Sequence, residues 1–105
     1  MSFGRRRPFR DLIERQLAFF EEEHGGLLRD VRNAERAYDD AEREGAEERY
    51  GDYVDLVDTG TELLAGIRDS YAATLDEGAA AQYEDAFNRA AARRFPRFGL
   101  ELGER

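Results

Sequence analysis

The most constraining feature of this 105-residue sequence is a repeated alternation of four- and three-residue spacings between apolar or small residues. Two such series occur, and the second begins directly after the first ends. A heptad spacing places every member on one side of an α-helix and is typical of helices that pack along their length. It predicts two long helices that pack against each other along these residues, a line of contact that we call the seam. The members are Ile13, Leu17, Phe20, His24, Leu27, Val31, Ala34, Tyr38, Ala41 and Gly45, then Ala46, Tyr50, Tyr53, Val57, Gly60, Leu64, Ile67, Tyr71 and Thr74.

Residues that start or stop helices set the expected boundaries. Pro8 suits the first helical turn, Gly45 can end a helix, and Pro96 disfavours helical geometry in the residue before it. The pair Gly25–Gly26 lies beside the seam without changing its register, so we expect a kink in helix 1 there. The expected segments are a basic N-terminal tail (1–8), helix 1 (9–44), helix 2 (46–75), helix 3 (77–94) and an irregular C-terminal tail (95–105).

These segments predict an all-α fold: a long, coiled-coil-like antiparallel hairpin with a shorter third helix. In this hairpin Tyr38 opposes Tyr53, and Phe20 opposes Tyr71. Helix 3 is too short to cover the whole seam, and further apolar residues lie beside it. We therefore expect a homodimer in which two hairpins form an assembly like a four-helix bundle. The apolar residues beside the seam are Leu12, Phe19, Leu28, Leu56 and Leu63.

Composition excludes several classes of protein. The chain has no Cys, which excludes disulfides, thiolate metal sites and thiol nucleophiles. No apolar run is long enough to span a bilayer, and the N-terminal arginines precede no signal-peptide core. We therefore expect a cytoplasmic protein with no membrane partner. All sixteen basic residues are arginine, and the net charge is −8. Codon bias in a GC-rich genome and a high-salt cytoplasm both fit this composition.

Charge is unevenly distributed. The tip of the expected hairpin, residues 35–58, contains ten acidic residues and three arginines, whereas both chain ends are basic. The basic ends predict an anion or partner site, although charges at helix ends also compensate helix dipoles and maintain solubility. Nucleic acid is not an expected partner, because the acidic body repels phosphates. The arginines of this candidate site are Arg5, Arg6, Arg7 and Arg10, together with Arg93, Arg94 and Arg97.

Three tyrosines near the tip, Tyr38, Tyr50 and Tyr53, are candidates for anchoring a partner protein. The alternative is that they fill heptad positions with a buried ring and a hydrated hydroxyl. Catalytic constellations are not recognised: the chain has two serines, one histidine, no nucleophile elbow and no phosphate-binding loop. We therefore expect no enzyme activity.

Glu21 and His24 form a Glu-x-x-His spacing, which places a carboxylate and an imidazole on adjacent turns of one helix face. This spacing resembles the metal motif of ferritin-like carboxylate bundles. The short hairpin plan is similar to that of encapsulated ferritins, whose site forms where two hairpins meet. The resemblance implies a divalent iron or manganese site at a dimer interface. Here the motif lies on the first helix, whereas in those proteins it lies on the second, and Glu62 and Asp69 of helix 2 face outward. The alternative is a structural histidine beside the kink.

The sequence therefore leaves three functional hypotheses. The first is a non-enzymatic helical protein–protein interaction or scaffold module without a cofactor. The second is a metal-binding, ferritin-like half-bundle. The third is an acidic partner of a basic protein.

Overall fold

The heptad-patterned chain folds into helices. The computed structural model describes residues 7–98, and all regular structure within that range is helical, which confirms the all-α expectation. None of the helices in this range is both long and apolar enough to cross a bilayer. The helices are α1 (Arg10–Glu23), α2 (Gly25–Asp39), α3 (Arg43–Ala72) and α4 (Glu77–Arg94), followed by a helical turn at 96–98.

The span expected as one helix, 9–44, is two helices separated by His24. This residue leaves the helical region, with φ −120° and ψ 33°. Backbone hydrogen bonds still join His24 N to Phe20 O at 2.9 Å and Leu28 N to His24 O at 3.0 Å, so the chain continues across the break. The break therefore falls at His24, and the pair Gly25–Gly26 forms the first residues of α2 instead of an internal kink.

The start of α1 also differs from the expected one. Phe9 has a left-handed backbone, with φ 66°, so the helix begins at Arg10. This conformation costs a non-glycine residue about 1 to 2 kcal/mol. Edge-on ring packing of Phe9 against Tyr83 at 5.4 Å and Tyr71 at 6.4 Å offsets the cost.

The turn between the two long helices precedes Gly45. Helix α2 ends at Asp39, and α3 begins at Arg43, so Gly45 lies inside the first turns of α3. The connection is residues 40–42. In the resulting register Tyr38 packs against Tyr50, with ring centroids 5.4 Å apart, one turn away from the Tyr53 expected opposite it.

Helix α3 organises the molecule because its two halves have different neighbours. Tyr50 in its first half packs against Tyr38 of α2, and Arg68 and Tyr71 in its second half contact Asn88 and Tyr83 of α4, which in turn packs against α1. Helices α1 and α4 run parallel, since Phe9 contacts Tyr83 and Phe20 contacts Phe95. We call α1, α4, residues 59–72 of α3 and residues 95–98 the three-helix end. It opposes the tip defined above.

The core is concentrated at the three-helix end. Phe20, expected opposite Tyr71, instead packs against Phe95 and Phe98 with ring centroids 5.3 and 6.2 Å apart. Among the buried apolar residues, only Val57 belongs to the tip. The set is Ile13, Leu17, Phe20, Val31, Val57, Leu64, Ala65, Ala72, Tyr83, Phe87, Ala91, Phe95 and Phe98.

Part of the expected C-terminal tail belongs to this core. Helix α4 does end before Pro96, but the aromatic residues on either side of the proline, Phe95 and Phe98, are both buried. The Phe98 ring lies over Gly60 of α3, where a Cβ would come within 2.6 Å of ring atoms Cε1 and Cζ. A side chain at residue 60 would therefore force the Phe98 ring to shift. The remaining residues of the tail, 99–105, lie outside the described range.

Candidate functional site

An open apolar groove lies between α1 and α3, and α4 contributes no residue to its lining. Its volume is about 790 Å³. Phe19 of α1 stands at its edge with 60 % of its surface exposed, whereas the adjacent Phe20 is fully buried. A large exposed aromatic ring beside an apolar groove is typical of a binding surface. The lining residues are Arg15, Gln16, Phe19, Leu63, Gly66, Ile67, Ser70, Tyr71 and Thr74.

Gly66 leaves space at the groove. A Cβ placed on this residue would meet nothing within 4 Å, and the residue is exposed. Its neighbours in the lining, Leu63 and Ile67, are only half-buried. The α3 wall therefore presents apolar side chains beside a position without a side chain.

A hydrogen bond from α4 fixes a residue of α1 that lines the groove. The hydroxyl of Tyr83 donates a hydrogen bond to Gln16 Oε1 at 2.8 Å. Burial raises the pKa of Tyr83 to about 12, so the phenol remains protonated and keeps its donor role throughout the neutral range.

The α3 wall is joined to α4 by a buried arginine. Arg68 donates from Nη1 to Asn88 Oδ1 at 3.0 Å and from Nε to Asp69 Oδ1 at 2.9 Å. Buried arginines are rare unless their donors are satisfied, as they are here. The sequence signal for this contact is a second series with four- and three-residue spacings on α3, one position after the seam and separate from it. Its members are Thr61, Ala65, Arg68 and Ala72, all buried.

The basic residues predicted to bind a partner separate into two groups. Arg7 and Arg10 are exposed near the start of α1, where Arg10 pairs with Glu14 at 3.4 Å, and Arg5 and Arg6 lie outside the described residues. Arg94 lies at the end of α4. Because α1 and α4 run parallel, the structure places these groups at opposite ends of the bundle instead of in one site.

The C-terminal arginines pair with carboxylates of the same chain. Arg94 contacts Glu21 at 2.6 Å, and Arg97 makes a bidentate contact with Glu35, including an Nε to Oε2 distance of 3.0 Å. The Arg97 hydrogen bond lowers the pKa of Glu35, and Glu35 in turn raises the pKa of Arg97. The first pair joins the end of α4 to α1, and the second joins residues 95–98, here called the C-terminal segment, to α2.

The three candidate tyrosines do not form one surface. Tyr38 and Tyr50 are exposed and in ring contact, whereas Tyr53 is half-buried beside Glu35 and Arg97. Burial, and secondarily the charge of Glu35, raises the pKa of Tyr53. The exposed aromatic surface of the tip is therefore the pair Tyr38–Tyr50.

The candidate metal ligands lie near the break between α1 and α2. Glu21 is engaged by Arg94, and the half-buried His24 packs against Phe20 with ring centroids 5.2 Å apart. Within residues 7–98 no group of three or more His, Asp or Glu side chains is arranged to hold a metal ion. A metal site at Glu21 and His24 stays a prediction, and it requires ligands from a second chain.

Comparison with family models, curated proteins and solved structures gives no match to this chain.

Proposed function

We propose that this chain is a non-enzymatic helical interaction module that associates with a second copy of itself through the groove between α1 and α3. The observation that carries this proposal is Phe19, a large aromatic residue exposed beside half-buried Leu63 and Ile67. Burial of such a surface on association is favourable by about 25 cal/mol per Å² before the costs of binding.

The arrangement of helices supports a helical occupant of the groove. Helices α1 and α3 each pack against α4, and the groove between α1 and α3 has no lining residue from α4. A helix seated in this groove would complete a four-helix bundle. A second copy offers such a helix.

The groove also has the two complementary features that a symmetric interface needs. Phe19 protrudes, and Gly66 leaves a hollow on the same surface. In an interface with two-fold symmetry both copies use the same patch, so each ring can enter the hollow of the other copy. Contact of a different protein with the Tyr38–Tyr50 pair, or of a basic protein with the acidic tip, stays a prediction.

The proposal is tested by light scattering coupled to size exclusion, from micromolar to hundred-micromolar protein. We expect wild-type protein at about twice the chain mass of 12.0 kDa and Phe19→Asp at the chain mass. Tyr50→Asp is the matched control, because it replaces another exposed aromatic residue outside the groove and leaves the dimer intact. A monomeric wild type, or a Phe19→Asp variant as dimeric as wild type, contradicts the proposal. Circular dichroism verifies that both variants stay helical.

A further inference from the structure

The exposed side of α1 that carries Phe19 has opposite charges at its two ends. Arg15 lies one turn before Phe19, and Glu22 and Glu23 lie about one turn after it. At 3.6 residues per turn, these four residues lie along one side of α1. All four are exposed. The exposed aromatic ring is thus placed between a basic end and an acidic end.

This order of charges selects one orientation of two copies. If two α1 helices meet antiparallel with the symmetry axis at Phe19, Arg15 of each copy faces the acidic end of the other, and this pairing occurs twice. A parallel arrangement places like charges opposite each other, which is unfavourable. We infer that α1 of a second copy closes the groove. The two α1 helices pack antiparallel with the symmetry axis at Phe19, and Arg15 of each copy pairs with the partner's Glu22 and Glu23. This inference rests on the proposed self-association.

A charge exchange tests the orientation. One variant carries Arg15→Glu and the other carries Glu22→Arg with Glu23→Arg. In each homodimer all facing charges are alike, and we expect its dissociation constant to rise about tenfold or more at low salt. In an equimolar mixture the two variants restore both sets of opposite charges in a heterodimer. We expect that heterodimer to bind within about threefold of wild type, because one facing set is the wild-type set and the other has both of its charges reversed, so opposite charges meet in both.

Sedimentation velocity over a concentration series measures each constant, and native mass spectrometry identifies the heterodimer by its mass. Glu14→Arg is the control, since this exposed residue lies on another side of α1, and it should dimerise as wild type does. The substituted positions are exposed, and circular dichroism verifies the fold of each variant.

The outcomes separate this inference from the proposed function. Suppose that Phe19→Asp dissociates the dimer but both charge variants form homodimers as tight as wild type, or that mixing the two weakened variants yields no tight heterodimer. In either case the antiparallel orientation is wrong, while the groove interface stands. If the wild type is monomeric, or if the Phe19→Asp variant is as dimeric as wild type, the groove proposal itself is wrong. Weakened homodimers with a restored heterodimer establish the orientation.

Discussion

The same heptad pattern runs through the tip and the three-helix end, but Val57 is its one buried member within the tip, whereas at the three-helix end most of its members are buried. At the three-helix end the seam residues Phe20 and Leu64 are inaccessible to solvent, whereas at the tip Tyr38 and Tyr50 are exposed. The difference is a third helix: α4 and Phe98 cover one end, whereas the other end consists of α2 and α3, which within residues 7–98 are joined there by the contact of Arg97 with Glu35. Periodicity therefore shows which side of a helix is apolar, and the neighbours available decide whether that side is buried.

The largest expected effect comes from truncating one aromatic residue at each end and comparing the two losses of stability. Phe20→Ala removes a fully buried ring from the contact with Phe95 and Phe98, and it should lower the free energy of unfolding by about 3 to 5 kcal/mol. Tyr50→Ala, at a site that is 52 % exposed, should cost below about 1 kcal/mol. Urea unfolding followed by circular dichroism, at one protein concentration, measures both. Equal losses would show that the tip is as tightly packed as the three-helix end.

A smaller effect, of opposite sign at the two ends, is expected from replacing glycines inside α3. Gly60→Ala gains helix propensity but places a Cβ 2.6 Å from the Phe98 ring, so we expect a net loss of about 1 to 3 kcal/mol. Gly51→Ala at the tip meets nothing within 4 Å and should stabilise by up to about 1 kcal/mol. In a Phe98→Leu background the Gly60→Ala penalty should shrink. If the loss of stability caused by Gly60→Ala is unchanged in that background, the contact with the ring is not its cause.

A stabilising effect is expected at Thr61, next to the glycine. Its hydroxyl is fully buried, and Oγ1 has no hydrogen-bond partner within the described residues. Thr61→Val removes an uncompensated polar group of nearly the same shape and should stabilise by about 1 to 2 kcal/mol. Thr59→Val is the control, because the exposed Thr59 hydroxyl bonds to Asp55 O at 3.0 Å. We expect it to change stability by less than about 0.5 kcal/mol in the same urea titrations. Destabilisation by Thr61→Val would show that the hydroxyl is satisfied in solution.

The sequence was sufficient to predict the helical class, because the heptad pattern and the residues that stop helices act locally. Helix α4 spans the same residues as the third expected helix, and Asp76 caps it by accepting from the Ala79 amide at 2.9 Å. The break at His24 and the burial of Phe98 against Gly60 depend on which elements pack together, which no local pattern specifies. The sequence places Phe19 and Leu63 beside the seam, but only the packing of α1 and α3 against α4 brings both residues to one groove.

The smallest expected effect concerns the ion pair that joins the tip to the C-terminal segment. Arg97 lowers the pKa of Glu35 below its ordinary value of 4.5, so the pair contributes stability at pH values above 4.5 and loses it as pH falls through the lowered pKa. At neutral pH, Glu35→Gln should cost below about 1 kcal/mol, because both side chains are partly exposed. Urea titrations from pH 7 downward should show a shallower decline in stability for Glu35→Gln than for wild type. Glu47→Gln, an exposed carboxylate in the tip, should keep the wild-type decline. Identical declines for Glu35→Gln and wild type would show that the pair does not hold the C-terminal segment on α2, which would leave the Phe98 contact with Gly60 as its anchor.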